Sequence, residues 1–167
     1  WEVIELANRH PRVNILQPGP GVGGHCIAVD PWFIVDRSPG CSNLIRTARE
    51  VNDAKPEWVI ERVKKCAGKF KEPKIACLGL AFKADVDDLR ESPAFDIVKK
   101  LKEEDVGELL VCEPNLSECS EFELCSQQNA IRESDIILLL VDHKPFKNLK
   151  ALELGEKIVI DTRGILR

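Results

Sequence analysis

The sequence predicts an α/β protein in which a parallel sheet carries helices on both faces, preceded by a long helix and by part of a separate helical unit. Three observations lead there. Four short apolar runs, at residues 74–80, 109–112, 135–141 and 157–161, have the length of buried strands and alternate with helical or turn-forming stretches. Upstream, residues 42–71 hold a helical period over a length unusual for one globular helix. Between that stretch and the start of the chain lies a run of glycine and proline that suits neither helix nor strand.

Taken in order, residues 1–9 set Val3, Ile4 and Ala7 at helical spacing, and His10-Pro11 stops the pattern. Pro18, Gly19, Pro20, Gly21, Gly23 and Gly24 then predict a shaped loop. In the stretch 42–71, Leu44, Ile45, Ala48 and Val51 form one face, and Trp58, Val59, Arg62, Val63 and Cys66 continue a stripe. Pro56 in its middle predicts two helices or a kink, because proline has no N–H to give. Such a length suits a spine between domains. After Pro73, KIACLGL reads as a buried strand. Ser92-Pro93 then supplies an N-cap hydroxyl and a proline suited to the first helical position. The helix it opens carries Phe95, Ile97, Val98 and Leu101. In a parallel sheet, ligands sit at the carboxyl ends of the strands. Those ends are residues 79–83, 113–115, 142–143 and 161–163, all polar or flexible.

Composition narrows the function classes. The 167 residues are 44% hydrophobic and 31% charged, a balance usual for globular proteins. A formal net charge of -4 gives no electrostatic reason to expect nucleic acid as a partner. No apolar run nears the ~20 residues of a membrane helix, so no membrane partner is expected. The seven cysteines contain no C-x-x-C pair, and no metal site is expected. Cys77 and Cys112 lie inside strand-like runs, where cysteine acts as a small hydrophobe. With no secretion signal, reduced thiols and a cytoplasmic protein are expected. The chain opens on Trp1 within a helical pattern and reads as a piece of a longer protein.

The segment richest in chemistry is PGPGVGGHCIAVDP, residues 18–31. Glycines let backbone amides approach a ligand closely, and Cys26, just after them, presents sulfur to the same space. Asp30, four residues on, is a carboxylate able to orient water or accept a proton. A glycine-rich loop around an inert cysteine fits the pattern equally well. A second segment, GLAFKADVDDLRESP at residues 79–93, joins a strand end to a helix N-terminus, a favourable setting for an anion. Taken by themselves, Lys83 can be a solvated lysine and Arg90 a partner of Asp87, Asp88 or Glu91.

These residues resemble those of the UDP-glucose/GDP-mannose dehydrogenase family. G-G-x-C-x-x-x-D, here Gly23-Gly24-His25-Cys26-Ile27-Ala28-Val29-Asp30, is similar to that family's nucleophile motif. The stretch ending D-x-R-x-S-P and the final Asp161-Thr162-Arg163 resemble its later motifs. The histidine before the cysteine is similar to the branch acting on UDP-N-acetyl-D-mannosamine; UDP-glucose, UDP-N-acetylglucosamine, UDP-N-acetylgalactosamine and GDP-mannose stay open. The resemblance implies two successive oxidations of the sugar's primary alcohol to a carboxylate with NAD, for surface polysaccharide synthesis, through a thiohemiacetal and a thioester on Cys26. It implies that Asp30 assists hydrolysis and that Gly23, Gly24 and His25 shape the sugar pocket. Phe82, Lys83 and Arg163 would contact the substrate, Arg90 the NAD diphosphate, and residues 14–17 would help hold the substrate.

The resemblance further implies three parts. Residues 1–41 end a central helical domain and carry the cysteine loop. Residues 42–71 form a connecting helix that pairs with its twin in a homodimer. Residues 72–167 form a UDP-binding, Rossmann-like domain. It places the main NAD domain and its Gly-rich fingerprint upstream, so no G-x-G-x-x-G is expected here and the chain alone is expected to be inactive. Two other classes are a UDP-sugar binder without catalysis and a structural dimerisation element with inert cysteines. The roles of Asn115, Asp142 and His143 stay unassigned, with Asp142-His143 structural by default.

Overall fold

The computed structural model describes residues 1–149 and 154–166; the remainder of the 72–167 segment lies outside the described residues. Four strands, β1 (Lys74–Leu78), β2 (Glu108–Cys112), β3 (Ile136–Leu139) and β4 (Ile158–Asp161), form a parallel sheet in the order β2-β1-β3-β4. In register, Cys77 of β1 lies opposite Val111 of β2 and Leu138 of β3. β1, β3 and β4 are one to three residues shorter than the apolar runs, and β2 is one residue longer. At the end of β1, Gly79 adopts φ +94, in the left-handed region, and turns the chain out of the ladder.

Side chains alternate across a strand, so each strand feeds both faces. Ile75, Cys77, Ile136 and Leu138 pack on one face with Val59, Ile60 and Val63 of helix α4 (Lys55–Ala67) and Ile97, Val98 and Leu101 of α5 (Pro93–Glu103). Ala76, Leu78, Ile137 and Leu139 pack on the other with Ala130 and Ile131 of α6 (Gln127–Glu133) and with Phe146. Sheet residues buried on both faces explain why the runs read as continuous rather than alternating apolar sequence. The α5 start follows the serine–proline reading. Ser92 Oγ accepts from the Phe95 N–H at 3.3 Å and donates to the Leu80 carbonyl at 2.6 Å, fixing the helix to the end of β1.

Before the sheet come α1 (Glu2–Ala7), the glycine-rich loop, α2 (Asp30–Arg37) and α3 (Asn43–Asp53). Pro56 leaves a single non-helical residue, Ala54, between α3 and α4, and the Ala54 N–H still donates to Glu50 at 3.0 Å. The two helices therefore follow one another with a pause of one residue. Their apolar stripe divides. Val59 and Val63 face the sheet, whereas Leu44, Val51 and Trp58 are exposed by 84%, 68% and 53%. The only buried side chain of α3 is Arg49. Helix α2, which the loop's composition hides, begins at Asp30 with Pro31 in its first turn.

Candidate active-site cleft

The strand order reverses direction between β1 and β3, the switch point at which open parallel sheets bind ligands. A cleft of about 450 Å³ opens there. Ala81, Phe82 and Lys83 line it from the β1 end, Leu140, Val141 and Asp142 from the β3 end, and Arg163 from the β4 end. The glycine-rich loop closes the opposite wall through Leu16, Gln17, Pro20, Gly21 and Gly23.

Within it, Arg163 donates from Nε to Asp142 Oδ1 at 2.9 Å, and its Nη2 lies at the same distance from that oxygen. Arg163 is held from its own backbone as well, since Asp161 Oδ1 accepts the N–H of Arg163 at 2.8 Å and of Gly164 at 2.7 Å. Asp142 is half-buried. Burial works to raise its pKa, but the Arg163 charge and a Lys147 hydrogen bond prevail and hold it below the usual aspartate value. The pair keeps a guanidinium, with donors to spare, at the cleft wall. Lys83 is exposed on the same wall.

Cys26 sits at the edge of this cleft rather than among the residues lining it. Gly24 has φ +91, and a Cβ there would come within 2.9 Å of the Phe82 ring; a Cβ on Gly23 would run into the Glu91 carbonyl. The absence of side chains thus lets the loop lie against the β1–α5 connection, where Gly24 N–H donates to Glu91 at 3.2 Å. His25 packs edge-to-face on Phe82, ring centroids 6.3 Å apart, and its Nδ1 lies 3.2 Å from Cys26 Sγ. The thiol is exposed. The Cys26 carbonyl accepts the N–H of Asp30 at 2.8 Å, so Cys26 and Asp30 stand one helical turn apart.

Of the residues singled out from sequence, Gly23, Phe82, Lys83 and Arg163 meet in one cleft, and Gly24, His25 and Cys26 gather at its rim through Phe82. Asp30 is exposed at the start of α2. Arg90 is paired with Asp88, its Nη2 donating to Oδ2 at 2.6 Å. That hydrogen bond lowers the Asp88 pKa to about 2. The Arg90 side chain is 71% exposed, but an NAD diphosphate would have to share it with Asp88. One expectation needs correction: residues 19–24, GPGVGG, do carry the letter spacing G-x-G-x-x-G. The run neither follows a strand nor opens directly into a helix, so it lacks the setting of a dinucleotide fingerprint.

Two further groups acquire their partners only in the structure. On α3, Arg49 and Asn52 hydrogen-bond the backbone of the cysteine loop; their signal was a polar i, i+3 pair on the face opposite Leu44 and Val51. At the strand ends, Glu113 and His143 are fully buried against one another, with Asn115 beside them. Among the described residues, no cluster of His, Cys, Asp or Glu is placed to hold a metal ion, and no helix is long and apolar enough to cross a membrane.

Comparison with known proteins agrees with this geometry. Residues 76–167 match the UDP-binding domain of the UDP-glucose/GDP-mannose dehydrogenase family, and residues 1–54 match its central domain. An NDP-N-acetyl-D-galactosaminuronic acid dehydrogenase of Ralstonia solanacearum is 58% identical over 99% of this chain and 40% of its own. A UDP-N-acetyl-D-mannosamine dehydrogenase of Yersinia pestis is 51% identical over all of this chain and 43% of its own. The solved UDP-N-acetyl-mannosamine dehydrogenase of Staphylococcus aureus, 41% identical, superposes with a TM-score of 0.81 over 99% of this chain and 40% of that one. The chain thus spans about two fifths of the length of these relatives. A glycine-rich loop packed on a parallel sheet at its switch point, and both halves of the match, place the chain in the UDP-glucose/GDP-mannose dehydrogenase family.

Proposed function

We propose that this chain is the carboxyl-terminal part of a cytoplasmic, NAD-dependent dehydrogenase that oxidises C6 of UDP-N-acetyl-D-mannosamine to the uronate for surface polysaccharide synthesis. The observation that carries the reading is the single cleft lined by Gly23, Phe82, Lys83 and Arg163, with Cys26 at its rim. Lys83 and Arg163 offer cationic donors to a diphosphate, Arg163 as a fork fixed by Asp142. Gly23 and Gly24 bring the loop against Phe82, and His25 beside them faces the sugar. NAD would be held mainly by a part of the protein upstream of Trp1, with Arg90 available to its diphosphate, and would supply the hydride acceptor for each oxidation.

Cys26 Sγ adds to the aldehyde carbon, forming a C–S bond as the carbonyl π bond breaks. Once that carbon is oxidised, the thioester is open to water, and hydrolysis returns the free thiol and the carboxylate. Asp30, one turn away, accepts a proton from that water. The exposed stripe of Leu44, Val51 and Trp58 supports a homodimer through α3 and α4. The proposed organisation runs from a central-domain segment, 1–41, through the connecting helices, 42–71, to the UDP-binding domain, 72–167.

The 58% identical relative, named for N-acetylgalactosaminuronic acid, favours UDP-N-acetyl-D-galactosamine as a second reading. The first test is calorimetric titration of this chain with UDP, against a Lys83→Ala, Arg163→Ala double variant. Binding that the double variant loses supports the site. If the chain does not bind, the titration is repeated on the protein extended upstream of Trp1, and silence there refutes the nucleotide-sugar reading. Turnover of the two nucleotide sugars by the extended protein then chooses between the substrates, and NADH formation by the 167-residue chain alone would contradict its being an incomplete enzyme.

A further inference from the structure

We propose that Arg49 and Asn52 are positioning residues for the Cys26 nucleophile, acting as a two-point clamp from α3 on the backbone of its loop. The inference rests on the reading of Cys26 given above. Asn52 engages Val22 in both directions: Oδ1 accepts the Val22 N–H at 2.8 Å, and Nδ2 donates to the Val22 carbonyl at 3.2 Å. Arg49 Nη1 donates to that same carbonyl at 3.3 Å and to the Ile27 carbonyl at 3.5 Å. The two anchored residues bracket Gly23, Gly24, His25 and Cys26.

Arg49 is suited to the task because its position is itself determined. It is 9% exposed, and its Nη2 donates to Asp53 Oδ1 at 2.6 Å one helical turn on. Asn52 Nδ2 lies 3.1 Å from the same carboxylate oxygen. A guanidinium with one edge held by Asp53 presents its other edge at a fixed angle. Across the loop, Gly24 is tied to the Glu91 carbonyl. The segment is therefore suspended between α3 and the start of α5, and a glycine-rich segment has little stiffness except from such ties. A displacement of about 1 Å at a reacting atom is enough to slow chemistry about 100-fold.

The test uses the enzyme complete with its upstream part. Asn52→Ala and Arg49→Lys are compared with wild type for kcat, for KM, for UDP affinity, and for hydrogen exchange at residues 22–27. A positioning role predicts a fall in kcat of about 100-fold for Asn52→Ala, with KM and UDP affinity held within about threefold. It also predicts faster exchange at the Val22 amide, whose acceptor is gone. Asn52→Asp keeps that acceptor and loses the donor, so its kcat should lie between the two; it also serves if the alanine variant fails to fold. Unchanged kcat in the variants overturns the clamp, as does a fall in kcat matched by an equal loss of UDP affinity. An inactive wild-type enzyme, by contrast, refutes the nucleophile reading itself and the clamp with it.

Discussion

Glu113 and His143, at the ends of β2 and β3, meet side chain to side chain with Nε2 3.1 Å from Oε2, and neither side chain reaches solvent. The backbone N–H of Asp85 donates to His143 Nδ1 at 2.9 Å, so the ring carries its proton on Nε2 and gives it to Glu113. Glu113 Oε2 also accepts the N–H of Leu80 at 2.7 Å and of Ala81 at 3.1 Å. One carboxylate thus joins the ends of three strands, immediately beneath the cleft wall formed by Ala81, Phe82 and Asp142.

Removing that carboxylate is expected to be costly. Glu113→Ala leaves buried N–H donors without acceptors and should lower stability by about 3 kcal/mol in denaturant unfolding. The acid dependence follows with its sign. Burial alone would raise the Glu113 pKa, but the hydrogen bonds from His143 and the backbone prevail and lower it. A carboxylate whose folded pKa lies below its unfolded value of about 4.3 stabilises the fold fully above that value. The contribution fades as the pH falls from there through the folded value. Unfolding midpoints measured between neutral and acid pH should therefore drop less steeply in Glu113→Gln than in wild type.

Gly79 should tolerate no side chain. It has φ +94, and a Cβ would sit 2.5 Å from the Cβ of Val141 on the neighbouring segment. Gly79→Ala is expected to cost about 2 kcal/mol or more, from the left-handed backbone and the collision together. A thermal melt within about a degree of wild type would contradict this.

The cysteines should separate by reactivity. Burial pushes the Cys77 and Cys112 thiols up to about 12, whereas Cys26 and Cys41 are exposed. Iodoacetamide followed by peptide mass spectrometry should label Cys26 first, because His25 Nδ1 is within reach of its thiol proton. His25→Ala should bring the Cys26 rate down to that of Cys41. Equal rates at those two cysteines in wild type would count against an activated nucleophile.

The proposed homodimer should depend on α3. Val51→Arg places a charge within the exposed apolar stripe and should shift sedimentation towards the monomer, with the far-ultraviolet spectrum unchanged. A variant that stays associated would move the interface elsewhere.

The sequence by itself determined the sheet, the helix start it could mark chemically, and the glycine-rich loop that carries Cys26. Apolar runs such as DIILLLV have one destination in a chain of this size, and Ser92-Pro93 fixes the first turn of α5 through local hydrogen bonds alone. Neighbours along the chain were also enough to set Cys26 and Asp30 one turn apart. The tertiary structure decided what those residues touch. Asn52 reaches Val22 across thirty positions and Arg49 reaches it across twenty-seven; Glu113 finds His143 thirty residues away. The face of α3 that looks outward, the strand order that opens a cleft between β1 and β3, and the joining of Arg163 to Asp142 depend likewise on how distant segments pack. Helical period and turn chemistry are short-range properties written in consecutive residues. A hydrogen bond between segments depends on strand order and on which faces are buried, and those are settled only when the whole chain packs.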